Sequence, residues 1–427
     1  MAATTQKLNY ANVPPRATSS RALRNEVYPT NGDVTMGQEL IFDLPSNVSN
    51  TFWDAQSSYV SFDITNNNST AANKVAFEGA GVMSAIRKIT VEIGGQTLYN
   101  VDNFGNLFSA MFDMDVAAEF RVNAGQLMMG SADAAKGVEL AGSGGTRKVC
   151  FPLVLTPLGG AQKYWPLIGR EAIRIRIQLD TVARGLISAN SGTVSDANVA
   201  ITNAKLVQYN LELGSDVMAQ VAAASGGSFK IACPSYQHHQ ASLAAGVTSL
   251  NTTLGFSMSS LNRIIVLQQR GGADTAAKIG SRSYADLESF SVSVGGVKYP
   301  QIDIKTDSTG AEATAELLLS QRALTSWGHD SSINGGGGFT ANEPAGTGGT
   351  DGNCGRFICE IDLESQRVVG SEAGLGLVAG LNTIGATVQL QLNYSGGVTN
   401  AHTINVYGEH TILCMLDLNT LTWSIAV

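Results

Sequence analysis

No apolar run in the chain approaches the roughly 18 residues of a membrane span, and no apolar leader core follows Met1, so neither membrane insertion nor secretion is expected. Without an export route, the Asn-x-Ser/Thr triplets at Asn47, Asn67, Asn68, Asn251 and Asn393 are chance matches in an Asn-rich chain. Charge is scarce as well. Asp, Glu, Lys and Arg make up 15% of residues, against about 25% in typical soluble domains, so much of the surface is expected to meet protein rather than water. The net charge of −8 excludes a surface built throughout for nucleic acid, which needs clustered Lys and Arg. Five cysteines, an odd number spread over Cys150, Cys233, Cys354, Cys359 and Cys414, imply no disulfide framework.

The spacings that carry chemistry are missing too. Two metal-binding barrels in tandem would need His-x-His, which places both imidazoles on one face of a strand. His238 and His239 are adjacent and point to opposite faces, His329, His402 and His410 are scattered, and Glu409-His410 offers a single pair. Cys354 and Cys359 have no second pair at ligand spacing. Gly335-Gly336-Gly337-Gly338 lacks both the Walker Lys-Ser/Thr and a strand-to-helix setting, and Gly-x-Ser-x-Gly is absent. Asp113 and Asp115 could serve a glycosidase only with spatial partners, and read as exposed loop carboxylates. No catalytic, cofactor-binding or metal-binding residue is assigned, no cofactor is expected, and the chain is not read as an enzyme.

What is present is a long-range repetition. Val91-Glu92-Ile93-Gly94-Gly95 returns as Val292-Ser293-Val294-Gly295-Gly296, 201 residues later. In the same order, Gly37 to Phe42 aligns with Gly227 to Ala232, Phe151 to Leu155 with Phe357 to Ile361, and the alternation of Ile173, Ile175, Ile177 and Leu179 with that of Ala386 to Asn393. Solenoid and propeller units repeat at roughly 20 to 50 residues, so a period this long indicates a duplicated domain. A chain of 427 residues suits two such units, each large enough to bury a core without disulfides.

Short alternating strands dominate both halves, which predicts two β-sandwiches. Gln38 to Leu44 reads as the first strand, stopped by Pro45, and Tyr59 to Ile64 as the second, stopped by Asn66-Asn67-Asn68. Ile86 to Ile93 is the third. Phe104, Leu107, Phe108 and Met111 then follow helical spacing, with Asp102 or Asn103 as cap and one face on a sheet. The matching place in the second half is Ala311 to Leu324. Long segments without a clear period follow each helix, from Asp113 to Lys148 and from Trp327 to Arg356. The expected boundaries are a basic arm over 1–36, in which Lys7, Arg16, Arg21 and Arg24 face Glu26 alone within the first thirty residues, a first sandwich over 37–213, a linker over 214–226, a second sandwich over 227–416 and a tail over 417–427.

The arrangement resembles the double jelly-roll major capsid proteins of tailless icosahedral DNA viruses, most nearly those of polinton-like viruses and virophages. The stretches that carry the likeness are Phe52-Trp53-Asp54 with Ser58 to Ile64, Ile86-Arg87-Lys88-Ile89, Phe151-Pro152-Leu153, Tyr164-Trp165-Pro166-Leu167 and Ile173 to Leu179. In the second half they are Cys359 to Glu364 and Gly380-Leu381-Asn382-Thr383. The resemblance is one of strand pattern over most of residues 30 to 416. It implies two upright jelly rolls per chain, a homotrimer with pseudo-hexameric outline, and a structural role in the virion, assembled inside the infected cell. It also implies partners: neighbouring capsomers, penton and minor or cement proteins, packaged nucleic acid or an inner layer beneath the basic arm, and a host surface at the long loops. The alternative is a tandem β-sandwich carbohydrate-binding or adhesin module.

Overall fold

The computed structural model describes residues 20–132, 136–188, 194–270, 282–285, 287–306, 357–363, 380–396, 398 and 400–426. The second predicted helix, the loop over 327–356 with its four glycines, His329, Cys354, Glu364, Lys7 and Arg16 lie outside these residues.

Eight principal strands build the first half: Ser20–Val27 (β1), Glu39–Asp43 (β2), Thr51–Asn66 (β3), Ile86–Ile93 (β4), Gln96–Asp102 (β5), Gly145–Pro152 (β6), Ile173–Leu179 (β7) and Val199–Leu213 (β8). Eight more build the second: Ser228–Leu243 (β9), Ser249–Leu254 (β10), Leu261–Arg270 (β11), Leu287–Val294 (β12), Val297–Lys305 (β13), Cys359–Asp362 (β14), Val388–Tyr394 (β15) and His402–Asp417 (β16). In the first half the strands pair antiparallel in the orders β1-β8-β3-β6 and β2-β7-β4-β5. In the second half the orders are β9-β16-β11-β14 and β10-β15-β12-β13. Raising each label of the first half by eight reproduces the second, so the two halves share one jelly-roll topology.

Alternation places the cores. Ile173, Ile175, Ile177 and Leu179 are buried while Arg174 is exposed and Arg176 and Gln178 are half-buried, because successive side chains of a strand point to opposite faces. Their partners across β4 are Ile93, Val91 and Ile89, also buried. In the second half Val388, Leu390 and Leu392 repeat the pattern opposite Val294, Val292 and Phe290. Both Gly-Gly pairs, Gly94-Gly95 and Gly295-Gly296, close tight hairpins at positive φ, a conformation open to glycine without a Cβ clash.

Several sequence expectations change. Residues 20–27 do not belong to an arm: they are the first strand of the first roll, and Val34–Thr35 also pairs with β8. The segment looked disordered because it is an apolar-poor edge strand. Two of the basic residues counted there, Arg21 and Arg24, lie on it beside Glu212 and Glu26. Gly37 to Phe42 therefore leads into β2, whose counterpart is Ser249–Leu254; the match with 227–232 paired a second strand with a first, since a glycine followed by alternating apolar residues opens strands of either kind. The 214–226 linker contains a helix, Ser215–Ala224. The 417–427 tail adds a strand, Trp423–Ala426, to β16, held by the buried indole of Trp423 against Trp165 at 5.8 Å between ring centroids. Finally, the aperiodic stretch after Asp113 contains regular elements among its described residues. It forms helices over Ala118–Val122 and Ala124–Met129 and a strand over Lys136–Leu140 that pairs with Val75–Glu78.

The predicted helix is present as Phe104–Asp115 (α1), but it is not amphipathic in its surroundings. Every residue from Asn103 to Phe112 is buried, because the face turned away from its own sheet is covered by the second roll. Gly105 lets it lie directly on the turn Val82–Ala85: a Cβ there would stand 2.1 Å from the carbonyl oxygen of Ser84.

Replacing Ile175 and Ile177 together with Asp is expected to abolish soluble protein, since each buried, unpaired carboxylate costs several kcal/mol; soluble expression with native circular dichroism checks this, and wild-type yield would rule out the core placement.

Candidate functional site

The strand β11 reads Leu-Asn-Arg-Ile-Ile-Val-Leu-Gln-Gln-Arg, apolar on both faces at its centre. Leu261, Ile264 and Val266 join the second roll's own core. Ile265 and Leu267 point the other way and join the core of the first half, as do Tyr236 on β9, Ile358 before β14 and Tyr407 on β16. One sheet is thus buried on both sides, and its outer face is the seam between the rolls. Alternation in β16 is the same device: Ile404 and Val406 face inward, while Asn405 and Tyr407 face α1.

Polar groups at this seam are paired across it. The hydroxyl of Tyr407 donates to the backbone carbonyl of Asn103 at 2.9 Å, and the Asn103 amide donates to Asn405 Oδ1 at 3.2 Å. Asn103 does occupy the N-cap position of α1, but in a left-handed conformation with φ of 52° and without a side-chain cap bond. Its carboxamide is spent on the seam, and its Oδ1 accepts from Arg184 at 3.1 Å. His238 lies against the same group: its Nε2 is 3.1 Å from Asn405 Oδ1 and its ring stacks on Tyr407 at 4.8 Å.

Two ion clusters flank this centre. Asp113, at the end of α1, is bound on one side by Arg121 at 3.2 Å and on the other by Arg282 of the second half. Both arginines are almost fully buried, and Arg121 also donates to the carbonyls of Phe112, Asp113 and Val116. Asp113 is therefore a structural anion between the rolls rather than an exposed loop carboxylate, while Asp115 is exposed. On β11, Arg263 binds Glu360 at 3.0 Å and Glu409, reaches Tyr236 at 3.3 Å, and lies 3.9 Å from Met111 of α1. Burial alone would lower the Arg263 pKa, yet Glu409 and Glu360 beside it raise it well above the ordinary value, so the guanidinium stays charged.

The histidines and cysteines are dispersed among these partners. His402 bonds the carbonyl of Asn400 and the hydroxyl of Ser283, and His410 lies 3.4 Å from the carbonyl of Gly408. Cys233, Cys359 and Cys414 are buried and Cys150 is half-buried. Among the described residues no group of three or more His, Cys, Asp or Glu side chains could hold a metal ion. A polar cleft of about 350 Å³ opens beside the seam, lined by Arg87, Lys88, Asn100, Asp102, Gln178 and His238. Sequence reasoning missed the seam residues, although charges inside apolar strands, such as Arg263 and Glu360, were a readable signal that a buried partner must exist.

Replacing Arg263 with Met should leave Glu360 and Glu409 uncompensated and cost about 3–5 kcal/mol, read from the urea midpoint, whereas replacing the exposed Arg21 with Ala should leave that midpoint in place. Acid should also loosen the fold. Burial lowers the pKa of His238 and of His410 below the ordinary 6.5, so the unfolded chain takes up protons first and stability falls as pH drops through that value. Melting temperature recorded between pH 7.5 and 5.5 should fall, and His238→Gln should flatten part of the slope; an unchanged slope would contradict the assignment.

No protein-family model matches the chain, and no curated protein matches it. Solved structures match along nearly its whole length. PBCV-1 VP54, whose crystal structure was fitted into a cryo-EM reconstruction of the virophage Sputnik, is similar with a TM-score of 0.64 at 12% identity, covering 98% of this chain and 99% of that one. The Sputnik virophage structure determined by cryo-EM gives 0.60 at 11% identity, over 100% and 93%. The Faustovirus major capsid protein gives 0.60 at 8% identity, over 95% and 92%. At these identities the likeness is one of fold, and that fold is the double jelly roll.

Proposed function

We propose that the chain is a major capsid protein whose homotrimers form the pseudo-hexameric capsomers of an icosahedral virus shell. The observation that carries this reading is the pair of rolls with one strand order, fixed side by side by a buried seam. Three chains bring six similar rolls around a threefold axis, and six similar flanks let a trimer occupy six-coordinated lattice positions. Low charge content and the exposed Val297 and Ile302 on β13 suit a protein whose flanks meet copies of itself. The protein then resides in the virion, where neighbouring capsomers, penton proteins and minor or cement proteins are its partners. Packaged nucleic acid or an inner layer is the further partner proposed for the basic segment that holds Lys7 and Arg16.

Light scattering of purified protein tests the reading: a mass of three chains is expected, with hexagonal outlines in negative stain. A single chain that retains a glycan would instead favour the carbohydrate-binding alternative. Because β1 begins at Ser20, deletion of residues 1–19 should preserve the trimer and reduce assembly into shells, scored by counting particles in micrographs; normal shell yield would remove any architectural role for that segment.

A further inference from the structure

The polar cleft beside the seam has a wall shaped by an irregularity in the first roll. Gln178 of β7 pairs with Lys88 of β4, but the next residue, Leu179, pairs with Ile86, so Arg87 is an extra residue in β4. A bulge of this kind bends its strand and re-aims a side chain. Regular alternation would put Arg87 and Lys88 on opposite faces of the sheet. Here both line one cleft of about 350 Å³. Gln178 and Asp102 stand beside Lys88 on the two neighbouring strands, Asn100 lies two residues along β5, and His238 brings in the second roll.

The groups gathered there are mostly donors without acceptors. Arg87 Nε lies 3.5 Å from Asp102 Oδ1, which leaves both terminal nitrogens of the guanidinium for another partner. The Asn100 carboxamide accepts from the Thr90 hydroxyl through Oδ1 at 3.4 Å, so its Nδ2 is unspent. Among the described residues, the Lys88 ammonium and the Gln178 carboxamide are bonded to no protein group. Two cations held on one wall repel each other, and Asp102 offsets only one of them. In a chain of net charge −8, the cleft is thus a local excess of positive charge. His238 cannot swing aside, because its Nε2 lies 3.1 Å from Asn405 Oδ1 and its ring stacks on Tyr407 at 4.8 Å.

We propose that this cleft binds a phosphate-type oxyanion, with Lys88 and Arg87 supplying charge and Asn100 and Gln178 supplying neutral N–H donors. An acceptor-only ligand of negative charge is what four unspent donors call for, and charge-assisted hydrogen bonds from Arg and Lys to phosphate are the strong ones. A neutral sugar would leave the excess charge unmatched. A metal cation would meet two cations. Asp102 is a positioning residue, holding Nε of Arg87 and leaving the rest of the guanidinium to the ligand. Because the lining comes from both rolls, a bound oxyanion adds contacts across the seam and stabilises the folded chain according to its occupancy. The site lies within a single chain, so it holds whether or not chains form trimers.

Inorganic phosphate, exchanged for chloride at constant ionic strength, is the probe, added to the purified full chain. Calorimetric titration should saturate at one phosphate per chain, and the melting temperature should rise as phosphate is added. Lys88→Met should weaken the affinity about tenfold or more. Since Lys88 has no protein partner, the same variant should keep wild-type circular dichroism and, in chloride, the wild-type melting temperature. Lys88→Arg should restore most of the binding, and Lys148→Met, exposed on β6, should leave it unchanged. Absence of saturation would overturn the proposal. So would saturable binding that Lys88→Met and Arg87→Met both leave intact, because the anion would then sit elsewhere. Competition with adenosine triphosphate separates the two sources of such an oxyanion: displacement of phosphate by the nucleotide at lower concentration supports a nucleotide phosphate as the occupant, and failure to displace it supports the free ion.

Discussion

A sheet with two apolar faces must be covered twice, and the β9-β16-β11-β14 sheet has two. Ile264 and Val266 go to the second sandwich, Ile265 and Leu267 to the first. Leaving the outer row to water would expose large apolar side chains, each worth about 1.5–3 kcal/mol on burial. That requirement fixes the second roll against α1 and sets the angle and register of everything built on it. It also explains why α1 is buried on nearly every side and why Gly105 must sit where it approaches the Ser84 carbonyl: the helix is packed between a turn of its own roll and the sheet of the other.

Apolar contact supplies the drive, and the polar groups within it set the register. Asn103, Asn405 and Tyr407 satisfy one another only in one alignment of α1 against β16, and Asp113 reaches both Arg121 and Arg282 only when the two halves are correctly seated. Buried ion pairs of this kind add little net stability over apolar replacements, yet breaking one is expensive. Slippage by one residue would part Arg282 from Asp113, the ion pair that crosses the seam. The seam is therefore selective as well as sticky.

The strands were largely legible because alternation records burial: Ile173 to Leu179 and Val388 to Tyr394 could scarcely be anything else. The helix at Phe104 was legible from the spacing of Phe104, Leu107, Phe108 and Met111, although burial there extends to every side. Less legible were elements whose stability comes from pairing rather than from their own apolar content. Ser20–Val27 has little apolar surface and is held by its ladder with β8, and Trp423–Ala426 is anchored by one indole. The stretch after Asp113 has no period because its helices are short and its glycines admit close backbone contacts, as where a Cβ on Gly137 would strike the Gly130 carbonyl at 2.4 Å.

By itself the sequence settled that there are two halves, that each is a sandwich, and that neither carries ligand-spaced histidines or cysteines, since all of these are properties of local order along the chain. The tertiary structure decided the rest: the shared strand order, the partners of Asp113 and Arg263, and which faces are covered and which left open. Those depend on groups from different strands and from different rolls meeting in the folded chain, as Asp113 meets Arg282 across 169 residues. A one-dimensional pattern shows that Ile265 and Ile302 are apolar, but only the folded chain shows that the first has found its cover and the second has not.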